Sequence, residues 1–223
     1  MNKPLFRASG VGKLMAYPDK DTLSEGALSY VYEIASQMLL EWRPELNTFE
    51  IEKGRVVEDQ TIALYNSVSG NFYVKNQERK YSELFTGECD INEDEEDLIL
   101  DIKSSYSKKT FPLILKDGDK KLYEWQLDNY MLLWDRNNAG LVFGLVDTPS
   151  HLIKKQDPED WHIVGHIDEV LRITTLFKQR DSKREQQMIN KTRVAQDVLC
   201  ELLDKRGYVF KLKNMYLGRM TCS

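Results

Sequence analysis

The chain of 223 residues is 41% hydrophobic and 30% charged, with a formal net charge of −5, which suits one full hydrophobic core and excludes two generous domains. No apolar run reaches the roughly 20 residues needed to span a bilayer, and Met1-Asn-Lys-Pro4 opens no apolar signal segment, so a cytoplasmic protein without membrane contact is expected. Cys89, Cys200 and Cys222 are scattered, which argues against a disulfide framework, a Cys-based zinc site or a four-thiolate iron–sulfur cluster.

Gly10-Val-Gly-Lys13 lacks the spacer, the following Ser or Thr and the preceding strand of a phosphate-binding loop, so a nucleotide triphosphatase is rejected. Thr22-Leu-Ser-Glu25 has capping-box spacing, and Leu23, Ala27, Tyr30, Val31, Ile34 and Met38 recur at helical intervals, predicting a helix to about residue 42. A second helix is predicted over about 54–68, with Val57, Thr61, Leu64, Tyr65 and Val68 on one side and Ser69-Gly70 closing it. Strands are predicted at 72–74, about 81–91 and 98–104. The acidic turn at 92–97 lacks the glycine and ligand spacing of a calcium loop and reads as a solvated hairpin tip. A third helix over about 120–136 places Leu122, Trp125, Gln126, Tyr130 and Leu133 near one stripe, with Gln126 beside the buried face. Strands at about 139–146 and 170–177 and a helix at about 184–205 complete a single α/β domain over 1–223. His162 and His166 have a metal-compatible spacing but no third ligand nearby, and read as core or solvent residues. The basic clusters at 108–109, 116–121, 154–155 and 178–184 each read as a solvated face, although local basic surface can coexist with an acidic site.

Chemistry enters at Asp101-Ile-Lys103, inside the apolar run that starts at Leu98. Strand alternation puts Ile99, Asp101 and Lys103 on one face and Leu98, Leu100 and Ile102 on the other. Three other acid-x-Lys triplets occur, at Glu78, Asp119 and Asp181, but none lies between strong apolar flanks, where two charges demand a reason. Together with Asp90 on the preceding strand, the pair is the minimal equipment for holding Mg²⁺ against a phosphodiester. Read singly, Glu58 is a surface helix acid and Gln126 a boundary residue.

Taken in order, Ala8-Ser9, Gly54-Arg-Val-Val-Glu58, Gly87-Glu-Cys-Asp90, Leu100-Asp-Ile-Lys103-Ser104 and Trp125-Gln126-Leu127 give the chain a recognisable set. Over about residues 5–146 it resembles the PD-(D/E)XK nuclease superfamily and, within it, the phage lambda exonuclease or YqaJ-type viral recombinase group. The resemblance implies a restriction-endonuclease-like α/β fold, a central mixed β-sheet flanked by helices. It implies a Mg²⁺- or Mn²⁺-dependent DNA exonuclease that degrades one strand of linear duplex with free ends, 5′ to 3′, in phage recombination. For lambda-type members it also implies a homotrimer that threads DNA, and a single-strand annealing protein as partner.

By that resemblance Asp90 and Asp101 are direct metal ligands, with Glu58 and the Ile102 backbone carbonyl completing the set. Lys103 orients and activates the attacking water, and Gln126 supports it. Two ions roughly 4 Å apart would stabilise both the attacking and the leaving oxygen, and Lys103 beside bound metal is expected to have a lowered pKa. Ser9 with Arg7 is the candidate 5′-phosphate grip, since Asn2 stands where relatives carry an Arg, and Glu88-Cys-Asp90-Ile replaces the Ser-Pro-Asp-Gly turn of many relatives. A structure-specific or restriction-like endonuclease and a noncatalytic nucleic-acid or protein-binding module are the alternative readings.

Overall fold

A computed structural model describes residues 3–44, 47–115 and 121–207. Asn2, Cys222, the basic residues between 116 and 120 and the first residue of the predicted third helix lie outside the described residues. The chain opens with β1 (Phe6–Arg7), the one-turn helix α1 (Ala8–Val11) and a 3-10 turn, followed by α2 (Glu25–Leu39). The cap of α2 is Ser24, whose hydroxyl accepts from Ala27 N, and not Thr22 as the capping-box spacing suggests.

The predicted second helix is two, α3 (Phe49–Val56) and α4 (Glu58–Ser69). Val57 between them leaves helical geometry at φ −109° and ψ 10°, and is fully buried against Leu64 and Val146, so the bend is anchored by packing. Gly70 closes α4 at φ 75°, a left-handed conformation that costs glycine nothing. Segment 72–74 joins no ladder, and the side-chain amide of Asn66 takes the place of a neighbouring strand: it donates to Tyr73 O and accepts from Tyr73 N.

The predicted strand over 81–91 resolves into β2 (Lys80–Tyr81) and β3 (Phe85–Gly87), with β4 (Ile91–Glu93) beginning only after Asp90. Then come β5 (Leu98–Ser104), α5 (Lys121–Trp134), β6 (Asn138–Gly144), β7 (Ile173–Gln179) and α6 (Ser182–Lys205). The expected central sheet is, among the described residues, two mixed sheets. A small one is ordered β1-β3-β2, with β1 parallel and β2 antiparallel to β3, and a larger one is ordered β4-β5-β6-β7. In the larger sheet β5 and β6 are parallel, from Leu98↔Asn138 to Ser104↔Gly144, and α5 supplies the crossover. Both outer strands run antiparallel to their neighbours.

Packing follows from which face each side chain takes. Ile99, Ala139 and Leu141 meet Leu127, Tyr130 and Met131 of α5, while Leu98, Leu100 and Ile102 meet Ile62 and Tyr65 of α4. Residues 125–131 of α5 are all buried, so the helix is enclosed rather than amphipathic, with α1, β3, β6 and α6 around it. A third cluster joins α2 and α6 to the small sheet through Val31, Met38, Phe85, Met188 and Leu199. On the α4 side the layers touch closely at Gly144, where a Cβ would sit 2.3 Å from Thr61 Cγ2. Among the described residues no helix is long and apolar enough to cross a membrane.

Candidate active site

The alternation of β5 delivers Asp101 to the α5 face, where it is 2% exposed. Its Oδ1 accepts from Gln126 Nε2 at 3.1 Å, and its Oδ2 lies 2.5 Å from Lys103 Nζ. The Gln126 amide donates also to the Tyr130 hydroxyl at 3.0 Å, one helical turn on. Both N–H groups are thereby committed, and Oε1 remains as the acceptor that Gln126 can offer. The Lys103 ammonium lies 5.6 Å from the ring centroid of Tyr123, in the first turn of α5.

Asp90 arrives from the edge of the sheet. The β4–β5 ladder ends at Ile91↔Leu100, and two residues along β5 the Ile102 N–H donates to Asp90 Oδ2 at 2.6 Å. A carboxylate thus takes over where the strand partner stops. The Ile102 N–H is thus the group that meets Asp90.

Glu58 comes from the opposite layer, at the first residue of α4. Thr61 sits one turn on, with its hydroxyl 2.7 Å from that of Ser104, which ties this helix start to the end of β5. The Glu58 carboxylate is turned to Lys75, Oε1 to Nζ 2.8 Å, and is near enough to Asp90 to raise its pKa. Ser9 and Arg7 are both exposed, on α1 and β1, and α1 packs against α5, the helix of Gln126.

The charges act on one another across short distances. Burial, and then the Asp101 charge, push the Asp90 carboxyl up to about 7 against the pull of Lys103 and of the Ile102 N–H. Burial pushes Lys103 down, but the Asp101 and Asp90 carboxylates outweigh it and hold the ammonium above its ordinary value. The lowering expected beside bound metal would come from the charge of the ion, and the two carboxylates act in the opposite direction. Tyr130 is held well above its ordinary value by burial and by Asp101.

Two of the buried carboxylate oxygens, Asp101 Oδ2 and Glu58 Oε1, each meet an ammonium, that of Lys103 and that of Lys75. Hard anionic oxygens of this kind are a donor set that suits Mg²⁺ or Mn²⁺. Among the described residues, however, no three His, Cys, Asp or Glu side chains are gathered as they would be around an ion. Each carboxylate has a partner of its own, Gln126 and Lys103 for Asp101, the Ile102 N–H for Asp90 and Lys75 for Glu58. Two grooves, of about 480 Å³ at Leu98, Asn138 and Phe177 and about 200 Å³ at Asp19 and Lys191, contain none of the three acids.

Sequence reasoning did not single out Lys75, Tyr123 or Tyr130. Tyr130 carried a usable signal, four residues after Gln126 on one helix, but an aromatic on a buried stripe reads as core. His162 is buried with Nδ1 3.0 Å from the Thr148 hydroxyl and its ring edge-on to Tyr106, in keeping with a core role.

No protein-family model and no curated protein matches the chain. Solved structures do. An alkaline exonuclease from Laribacter hongkongensis superposes with a TM-score of 0.65 at 15% identity, over 91% of this chain and 93% of that one. Its complex with dAMP gives 0.64 at 16% identity over the same shares. Both likenesses establish the fold. A phage-related exonuclease from Haemophilus somnus 129PT superposes with a TM-score of 0.86 at 30% identity, over 92% of this chain and 97% of that chain. With near-complete coverage of both chains at that identity, this chain belongs to the family of phage-related exonucleases.

Proposed function

We propose that the protein is a divalent-metal-dependent DNA exonuclease of the PD-(D/E)XK type, degrading one strand of linear duplex DNA from its 5′ end for recombination. The observation that carries this reading is the grouping of Asp101, Lys103, Gln126 and the Asp90 carboxylate at the end of one strand, in a member of the exonuclease family. Asp90, Asp101 and Glu58 would hold the ions. Divalent ions there supply positive charge that offsets the charge developing on a phosphodiester in displacement.

The chain's own residues do the remainder. Lys103 keeps its ammonium beside Asp101, where it can donate a hydrogen bond to an attacking water and hold it in line. Gln126 holds the Asp101 carboxylate with one N–H and is itself oriented by Tyr130 through the other, so Oε1 can accept a hydrogen bond from that water. Ser9 and Arg7, exposed near the start of the fold, are the candidate grip for a terminal phosphate.

The test is digestion of end-labelled linear duplexes, with and without a 5′ phosphate, alongside a covalently closed circle, all in Mg²⁺. Release of 5′ label from the phosphorylated linear duplex with the circle left intact is expected. Efficient cutting of the closed circle would turn the reading to a related endonuclease, and failure to cut any DNA would discard the nuclease reading.

A further inference from the structure

Lys75 belongs to none of the motifs that carry the resemblance, yet its ammonium is the group that meets Glu58, 2.8 Å from Oε1. Its placement is built in. The next residue, Asn76, donates its backbone N–H to Asp90 O at 2.7 Å, and its side-chain amide donates to Cys89 O and Glu78 O, each at 2.9 Å. Lys75 thus neighbours a residue fastened to the Asp90 backbone, and its own side chain reaches across to a carboxylate carried by α4. The oxygen it meets is buried, and the contact combines charge attraction with a hydrogen bond from the ammonium.

Three carboxylates converge on this end of β5, yet they are not gathered as ligands, and Glu58 is turned to Lys75. An ammonium and a divalent cation cannot both crowd one carboxylate oxygen, because their mutual repulsion at contact distance is large in a half-buried setting. We propose that Lys75 is an exchangeable counter-ion: it holds Glu58 while no divalent ion is bound and yields it when one enters. Metal loading is then an ion exchange, with Lys75 setting how tightly the site binds its ion. This rests on the reading of Glu58 as a metal ligand.

The test is calorimetric titration of Mn²⁺ into the full-length, DNA-free protein, for the wild type, Lys75→Met, Glu58→Gln and the double variant. Lys75→Met removes the competitor but keeps the bulk of the side chain. It should tighten Mn²⁺ binding by about three- to tenfold, and the gain should vanish in the Glu58→Gln background, since both changes act through one contact. Unchanged or weaker binding in Lys75→Met overturns the exchange, as does a gain that persists without Glu58. Absence of Mn²⁺ binding in all four proteins overturns the metal-dependent reading itself, and the exchange with it.

Discussion

At Asp90 burial and a like charge act in the same direction, and this makes stability depend on pH. A carboxyl raised from 3.8 to about 7 keeps its proton in the folded state over a range where the unfolded chain has lost it. Folding then takes up a proton, so stability falls as pH rises from about 4 to about 7 and stays low above it. In metal-free buffer the melting temperature of the wild type should fall across that window relative to Asp90→Asn; parallel curves would free Asp90 of this role. Tyr130 offers a second prediction. Tyr130→Phe leaves one Gln126 N–H without its acceptor in a buried place, at a cost of about 1–3 kcal/mol. Turnover should drop more than apparent DNA affinity, because what is lost is the orientation of Gln126; equal kcat in wild type and variant would show that Asp101 alone suffices to hold the amide.

Among the elements, β5 was legible because period-two alternation and burial agree, and its bounds, 98–104, match the reading. The bend at Val57 was not, because the apolar positions run on at helical spacing through it and only packing against Val146 shows the break. Segment 72–74 has a strand-like sequence, but its hydrogen bonds go to one asparagine side chain, a partner that no local pattern announces. Asp101, Lys103 and Gln126 were legible as polar residues beside apolar stripes, whereas Lys75 lies in a polar stretch where a lysine attracts no notice. Lys53 of α3 was hidden for the opposite reason, since nothing in its sequence foretells burial. Its ammonium is fully buried and donates to Ser105 O, Tyr106 O and Val146 O at 2.8, 3.1 and 2.8 Å, joining the ends of β5 and β6. Burial pushes it down to about 8, so it stays charged at neutral pH, with three donors for three carbonyls. Lys53→Met should therefore lower stability by about 3 kcal/mol or more, read as a lower urea midpoint; an unchanged midpoint would mean that water replaces the ammonium.

For the whole molecule, a ligand that binds only the folded state raises its stability by mass action, about 2.7 kcal/mol at a hundredfold excess over Kd. In a chain of this size that corresponds to a rise of about 5–10 °C in melting temperature. Mg²⁺ or Mn²⁺ should produce such a rise in the wild type and little or none in Asp101→Asn; an equal rise in both would place the ion elsewhere. Cys89 gives the same event a kinetic readout. Its thiol is fully buried one residue before Asp90, and burial pushes it up to about 12, so in the closed fold it is inert to alkylation. With Cys200 and Cys222 replaced by serine, the rate at which a maleimide modifies Cys89 becomes a clock for the brief openings of the chain around Asp90. Saturating Mn²⁺ should slow that clock, and a rate indifferent to the ion would mean that this stretch opens independently of what the carboxylates hold.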